Sequence, residues 1–246
     1  MLVPGVDEEL LPIARARQTI AREVLLPPMP FVEAHLDKLA SHALLKALGV
    51  PVPETEALTE RRRVTFPCIV KPRRGRGSRD VAIVRSEEEL RAHVMLCRRP
   101  PVDFIVQQLL QGQEYTVTMV ADRTGALRAV VPAKVAIKRG ITLRAETDRD
   151  EAVVAACVAI HAAAPVGGCF NIQLIKSGAG DVMPFEVNPR ISTTTCLALA
   201  AGVDFVALYL SGDETSKQRA PDLAGYRDRL RLRRSWNNEF LLPETK

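Results

Sequence analysis

The sequence of 246 residues is short of aromatic side chains and of long apolar runs. Only 4% of its residues are Phe, Trp or Tyr, so the core has to rest mainly on Leu, Val, Ile and Ala. No run approaches the roughly 18 apolar residues of a membrane-spanning helix, and residues 1–7 lack the features of a secretion signal. We therefore expect a cytoplasmic globular protein that makes no membrane contact.

Cysteine motifs are also missing. The five cysteines are scattered singly, without a CxxC pair and without paired histidines nearby. This spacing argues against a disulfide or zinc framework and favours a reducing compartment. The four histidines lie on helical patterns at no metal-ligand spacing, so we expect them to be structural.

The formal net charge of +5 permits an anionic partner, which could be a nucleic acid, a nucleotide or an acidic substrate. The basic clusters contain no interleaved aromatic residues, and such residues are typical of single-stranded nucleic-acid sites. Nucleic-acid binding is therefore the disfavoured alternative.

The sequence of residues 1–49 predicts a short strand, a helix, a linker and a second helix. Residues 1–6 are strand-like and residues 8–17 are helical, whereas the prolines of 25–30 exclude a helix in that segment. Asp37 is the predicted N-cap of a further helix, and Gly49 is its predicted C-terminal stop.

Two α+β lobes are predicted after this helix. The first combines strands at 66–71, 81–84 and 104–108 with a helix that starts at Ser86, three residues before Glu89 in a capping-box pattern. The second is mainly antiparallel, with strands at 114–120, 127–135, 169–176 and 182–188. Helices are predicted at 148–163, 193–201, 203–210 and 227–236.

The Gly- and Arg-rich loop at 71–79 is the first candidate functional motif. Gly75 and Gly77 allow the backbone N–H groups to approach an anion, and Lys71 at the strand end can reach the same group. The lysine precedes the glycines, so this is not a Walker loop. By itself the segment fits a solvated turn equally well.

The second motif is a strand that carries Glu186 and Asn188 two positions apart, on one face. Gln173 and Asn171 show the same spacing on the preceding strand, and Arg190 follows just beyond. Oxygen ligands in this arrangement suit Mg²⁺ with a nucleotide phosphate, and the arginine suits a transferred phosphoryl group. The alternative is a polar outer face of a two-layer sheet.

The order of these motifs resembles the ATP-grasp superfamily, and within it the ATP-binding modules of carbamoyl-phosphate synthase large subunits. The resemblance runs from about Leu36 to the C-terminus. It implies an α+β ATP-grasp fold whose two lobes, residues 35–110 and 111–246, sandwich the nucleotide. Residues 1–34 are then the remnant of an N-terminal α/β domain with its linker.

The resemblance also implies residue roles. The implied nucleotide-binding residues are Lys38, Lys71, Gly75, Gly77, Ser78, Gln108, Leu109, Leu110 and Glu114. The implied ligands of Mg²⁺ (or Mn²⁺) are Gln173, Glu186 and Asn188. Arg190 is implied to stabilise an acyl phosphate.

The basic stretch at 134–142 stands where carbamoyl-phosphate synthases carry a histidine loop, which disfavours that reaction. Lys134, Lys138 and Arg139 are candidates to hold an anionic second substrate, and Lys138 and Arg139 join Arg190 as candidate catalytic residues. A solvated loop is the alternative for this stretch. Asp80 stands where the resemblance implies a third glycine in the Gly-rich loop. Aspartate tolerates a positive φ better than most residues do.

The function implied is that of an ATP- and Mg²⁺-dependent ligase. Such an enzyme activates a small carboxylate as an acyl phosphate for attack by an amine or ammonia, and releases ADP. The alternative is a non-catalytic or split-enzyme ATP-binding module that needs an N-terminal partner domain. The macromolecular partners left open are a second copy of the chain and that separate domain.

Overall fold

The computed structural model describes residues 1–59, 63–211, 223 and 225–236, and its two β-sheets both have helices packed against them. The sheets contain four and six strands. In the described part of the chain, no helix has the length and hydropathy needed to cross a bilayer.

The N-terminal region is a small helical layer. Helix α1 (Asp7–Ala16) packs on α2 (Met29–Leu36), and a single parallel bridge joins Leu2 to Val24. The prediction that 25–30 excludes a helix is wrong at its end, because Met29 and Pro30 form the first turn of α2. Proline is tolerated there, since the first N–H groups of a helix have no intrahelical acceptor.

Helix α3 (Lys38–Ala47) begins and ends as the sequence predicts. The Asp37 carboxylate accepts hydrogen bonds from the backbone N–H groups of Leu39 and Ala40 at 3.0 and 3.4 Å. Gly49 ends the helix with φ of +75°, a conformation that suits glycine. The cap places Lys38 in the first turn of α3, at the mouth of the cleft described below.

The first sheet is antiparallel, and its strand order is β1-β4-β2-β3. Its strands are β1 (Thr55–Ala57), β2 (Cys68–Pro72), β3 (Ala82–Val84) and β4 (Phe104–Gln108). Helix α4 (Glu87–Cys97) packs against β3, and the Ser86 hydroxyl caps it by accepting from the Glu89 N–H. Three strands and the cap match the prediction, whereas β1 was not predicted.

The second sheet is also antiparallel, with the order β10-β7-β6-β5-β8-β9. Its strands are β5 (Gln113–Ala121), β6 (Leu127–Arg139), β7 (Ile141–Thr147), β8 (Gly168–Lys176), β9 (Val182–Asn188) and β10 (Arg231–Arg233). Helix α5 (Glu151–Ala163) buries Val153 and Cys157 in the main core against this sheet. Helices α6 (Thr195–Ala200) and α7 (Phe205–Leu210) follow β9.

Two local predictions are corrected here. The stretch at 134–142 is not a loop, because β6 continues to Arg139 and pairs with β7 across Gly140. The helix predicted at 227–236 is replaced by β10, in which a partly buried Leu232 stands between exposed Arg231 and Arg233. That alternation is the two-residue period of a strand, and it pairs with β7.

We expect Gly112→Ala to destabilise the protein, because Gly112 has φ of +144° and an added Cβ would lie 2.1 Å from the Lys176 carbonyl oxygen. Strain and overpacking together predict a loss of about 2–4 kcal/mol in the free energy of unfolding. Urea unfolding measures it. The matched control is Gly178→Ala, since nothing lies within 4 Å of that Cβ position. Equal losses in the two variants would contradict the prediction.

Candidate functional site

A cleft of about 630 Å³ lies between the two sheets and is lined by residues of both. This volume is typical of small-molecule sites. The cleft contains every residue named above for nucleotide or metal binding. Of the three candidate catalytic residues it contains Lys138 and Arg190. Arg139 does not line it.

Lys71 and Glu186 face each other across this cleft. Lys71 is the penultimate residue of β2 in the first sheet and Glu186 lies on β9 in the second. Their Nζ and Oε2 atoms are 4.0 Å apart. The Lys71 Nζ also lies 5.4 Å from the centroid of the Phe185 ring. The pair therefore joins the two walls of the cleft.

The pKa of Lys71 is lowered to about 8, mainly by burial; Glu186 opposes this change, and the nearby ammonium groups of Lys38 and Lys138 add to it. Burial by itself would raise the pKa of Glu186, but the ammonium groups of Lys38, Lys71 and Lys138 hold that pKa below its ordinary value. At neutral pH both groups are charged. The cleft thus offers the ionised carboxylate of Glu186 surrounded by cations.

The three predicted metal ligands lie together on neighbouring strands. Gln173 on β8 pairs with Glu186 on β9, and Asn171 pairs with Asn188. The Asn188 Nδ2 donates to Asn171 Oδ1 at 3.3 Å, so Asn188 Oδ1 is the atom that a cation could use. Asn171 Nδ2 in turn donates to the Arg190 carbonyl oxygen at 3.0 Å.

This donor set fits Mg²⁺ that is completed by phosphate oxygens and water. Mg²⁺ in nucleotide sites is commonly held by one or two carboxylates together with the substrate phosphates. Among the described residues, no group of three or more His, Cys, Asp and Glu side chains could hold a metal. Glu186 with amide oxygens from Asn188 and Gln173 therefore suits a cation that arrives with a phosphate ligand.

Lys138 on β6 engages two of the predicted site residues. Its Nζ donates to Glu114 Oε1 at 2.5 Å and to Gln173 Oε1 at 2.8 Å. Successive side chains of a strand point to opposite faces, and the neighbouring Arg139 is exposed outside the cleft. Lys134 does not line the cleft either. Of the three basic candidates in this stretch, Lys138 is therefore the one that lines the cleft.

The Gly-rich loop covers one side of the cleft. Gly75, Gly77, Ser78 and Asp80 all have positive φ, between +55° and +131°. Asp80 therefore accepts the backbone conformation expected of a third glycine, and its carboxylate lies 3.7 Å from Arg99. The Lys38 Nζ donates to the Gly75 carbonyl oxygen at 2.8 Å, which ties the loop to the start of α3.

Residues 108–110 line the cleft at the junction between the first sheet and β5. Gln108 is anchored to Glu54, because its backbone N–H donates to the Glu54 carbonyl oxygen at 2.8 Å and its Oε1 accepts from the Glu54 N–H. Leu109 and Leu110, which follow this anchored residue, also line the cleft.

The structure adds cleft residues that the motifs did not reveal. They include Gly5, Val6, Arg76, Arg79, Thr142, Ser192, Thr193 and Thr194. Arg76 and Arg79 could have been found, since they belong to the Gly-rich loop. Gly5 and Val6 carried no signal, because only tertiary contact brings the N-terminal segment to this site.

Comparison with known proteins agrees with the family resemblance described above. A family model described as ATP-grasp domain matches residues 35–194. A D-alanine–D-alanine ligase of Corynebacterium aurimucosum is 32% identical over 108 residues, which cover 41% of this chain and 30% of that protein. The enzyme of Mycolicibacterium gilvum is 25% identical over 226 residues, covering 77% and 61%. The chain therefore spans less than two thirds of these relatives.

Solved structures share the fold at low sequence identity. The L-amino acid ligase of Bacillus licheniformis has a TM-score of 0.67 and 18% identity, over 83% of this chain and 53% of that one. The biotin carboxylase domain of Hydrogenobacter thermophilus 2-oxoglutarate carboxylase, solved with MgADP, ADP and bicarbonate, has a TM-score of 0.72 and 17% identity, over 91% and 55%.

We expect Glu186→Gln to lower the pKa of Lys71 below about 8, because the substitution removes the charge that opposes the effects of burial and of the other lysines. The ¹³Cε resonances of the lysines, followed against pH, report it. Lys71→Arg assigns the signal. The control is Glu146→Gln, whose partner Arg231 is on the surface. A Lys71 midpoint that is unchanged or raised in Glu186→Gln would contradict the electrostatic description.

Proposed function

The chain belongs to the ATP-grasp family, and from that premise we propose that its cleft binds ATP with Mg²⁺ and activates a carboxylate as an acyl phosphate. An amine or ammonia then attacks the acyl carbon, and ADP and phosphate are released. The observation that carries this proposal is the Lys71–Glu186 pair, a phosphate-binding cation and a metal-binding carboxylate that face one another from the two sheets.

In this proposal the phosphates lie between Lys38, Lys71 and the Gly-rich loop, whose positive-φ residues can turn N–H groups toward an anion. The adenine meets the backbone of 108–110, and Glu114 receives the ribose hydroxyls. Lys138 holds Glu114 through Oε1, which leaves Oε2 to accept from the ribose hydroxyls. The Lys138 ammonium also lines the cleft, where it is available to the phosphoryl group or to the carboxylate.

Glu186, Asn188 and Gln173 would hold the Mg²⁺, which supplies charge neutralisation at the phosphates. Gln173 Oε1 accepts one hydrogen bond from Lys138, and its second lone pair is left for the ion. The ionised state of Glu186, which the three lysines maintain, supports its role as the one carboxylate ligand.

The chemistry requires positioning more than covalent catalysis. A free carboxylate is a poor acyl donor because its leaving group would be oxide. When the carboxylate oxygen attacks the γ-phosphorus, the bond to ADP breaks and the negative charge spreads over the phosphoryl oxygens. Lys71 and Arg190 line the cleft where they can stabilise that charge, and Lys138 is the third candidate cation.

A second proposal is a binding module that acts only with a separate N-terminal domain. The parallel bridge between Leu2 and Val24 favours it, because one bridge beside one helix is a small unit that a larger α/β domain could extend. This proposal includes the division of the chain into an N-terminal remnant (1–34), a first lobe (35–110) and a second lobe (111–246). ADP release by the chain alone, stimulated by a carboxylate and amine pair, would exclude it.

We expect the double variant Glu186→Gln with Asn188→Ala to bind Mg·ATP at least about tenfold more weakly, because loss of ligating oxygens weakens the metal-dependent part of binding. Titration calorimetry with and without Mg²⁺ measures this part directly. Glu146→Gln is the control for loss of one surface acid. Unchanged Mg·ATP affinity in the double variant would show that the metal site is assigned to the wrong residues.

A further inference from the structure

The segment that leads into α1 forms part of the cleft wall although it lies outside residues 35–194, the range that matches the family. Gly5 and Val6 line the cleft, and the Glu9 Oε1 accepts hydrogen bonds from both of their backbone N–H groups at 2.6 and 3.1 Å. These two bonds fix the segment that leads into α1. The position of Asp7, the first residue of the helix, is thereby set.

Asp7 contacts Arg190 directly. The Arg190 Nε donates to Asp7 Oδ1 at 2.5 Å, and the two side chains are only 11% and 16% exposed. A charge-assisted bond of this length and burial is stronger than an exposed ion pair. Asp7 therefore fixes the Arg190 guanidinium at the cleft through a largely buried ion pair.

A second bond completes the orientation. The Arg190 Nη1 donates to the Ile191 carbonyl oxygen at 3.0 Å. Because the guanidinium is planar and its N–H groups have fixed directions, two anchors at Nε and Nη1 set its plane. Within the described part of the chain no partner engages Nη2, and Arg190 lines the cleft. The two N–H groups of Nη2 and the second N–H of Nη1 are thus left for a ligand.

We propose that Asp7 is a positioning residue, which acts through Arg190 by aiming its Nη2 donors at the phosphoryl group in transfer. The inference rests on the proposed function. Glu8, the next residue, also reaches the Gly-rich loop through Arg76 at 2.9 Å. That contact is exposed to solvent and adds little energy, so the proposal depends on Asp7 alone.

The test compares Mg·ADP binding with and without aluminium fluoride, which mimics the transferred phosphoryl group. Transition-state mimics bind more tightly than ground-state ligands, so wild type should gain affinity when the fluoride is added. Asp7→Asn should keep its Mg·ADP affinity within about twofold. Its increase in affinity on adding the fluoride should be about tenfold smaller than that of wild type, since the hydrogen bond to Arg190 loses its charged acceptor. Calorimetry measures both.

Four further variants make the result specific. Arg190→Met should lose the gain, and adding Asp7→Asn to it should cost nothing more if the acid acts only through the arginine. Glu23→Gln, which removes an exposed acid paired with Arg123, should change neither affinity. Asp7→Ser replaces Asp7→Asn if thermal melting shows that the latter does not fold.

The outcomes separate the two proposals. A wild-type chain that binds no Mg·ADP contradicts the proposed function. If wild type binds Mg·ADP, the role of Asp7 is overturned when aluminium fluoride gives no gain, or when Asp7→Asn retains the gain that Arg190→Met loses. It is also overturned when Asp7→Asn weakens Mg·ADP alone as much as it weakens the fluoride complex, because that pattern indicates general structural damage.

Discussion

Lys71 is buried at the end of a strand of the first sheet, where its ammonium would be unstable without a compensating charge. Glu186 supplies that charge from the second sheet at 4.0 Å, and the Phe185 ring adds a cation–π contact to the ammonium. Neither sheet contains both members of the pair. The cleft therefore exists as an electrostatic site only when the two sheets are packed in their observed relation.

The same principle extends to two further cations in the cleft. Lys138 on β6 pairs with Glu114 on β5, and Arg190 beyond β9 pairs with Asp7 on α1. Each pair joins different elements, so the charges are held in place before any ligand binds. Preorganised charges of this kind require little rearrangement when negative charge develops, which is the basis of electrostatic stabilisation in phosphoryl transfer.

Local sequence patterns predicted much of this arrangement. The bounds of β4 and β9 agree with the predicted strands, and the Asp37 cap follows from rules that involve only neighbouring residues. The spacing of Glu186 and Asn188 placed both on one face of β9, and both line the cleft. Such predictions succeed because strand alternation and helix capping are decided within a few residues.

The features that were missed depend on register and on distant contacts. The extension of β6 from 135 to Arg139 is not predicted, because its charged residues obscure the alternation, and pairing with β7 stabilises it. Register also decides that Lys138 enters the cleft while Arg139 does not. Asp7 and Arg190 are 183 positions apart, so no local pattern could have joined them.

The most direct test of the account is a crystal structure of this chain with Mg²⁺ and a non-hydrolysable ATP analogue. The account predicts that a phosphate oxygen lies within hydrogen-bond distance of Lys71 Nζ and that Glu186 ligates the metal bound to the same nucleotide. A nucleotide seated elsewhere, or one that contacts Lys71 while Glu186 remains remote from its metal, would contradict the central claim.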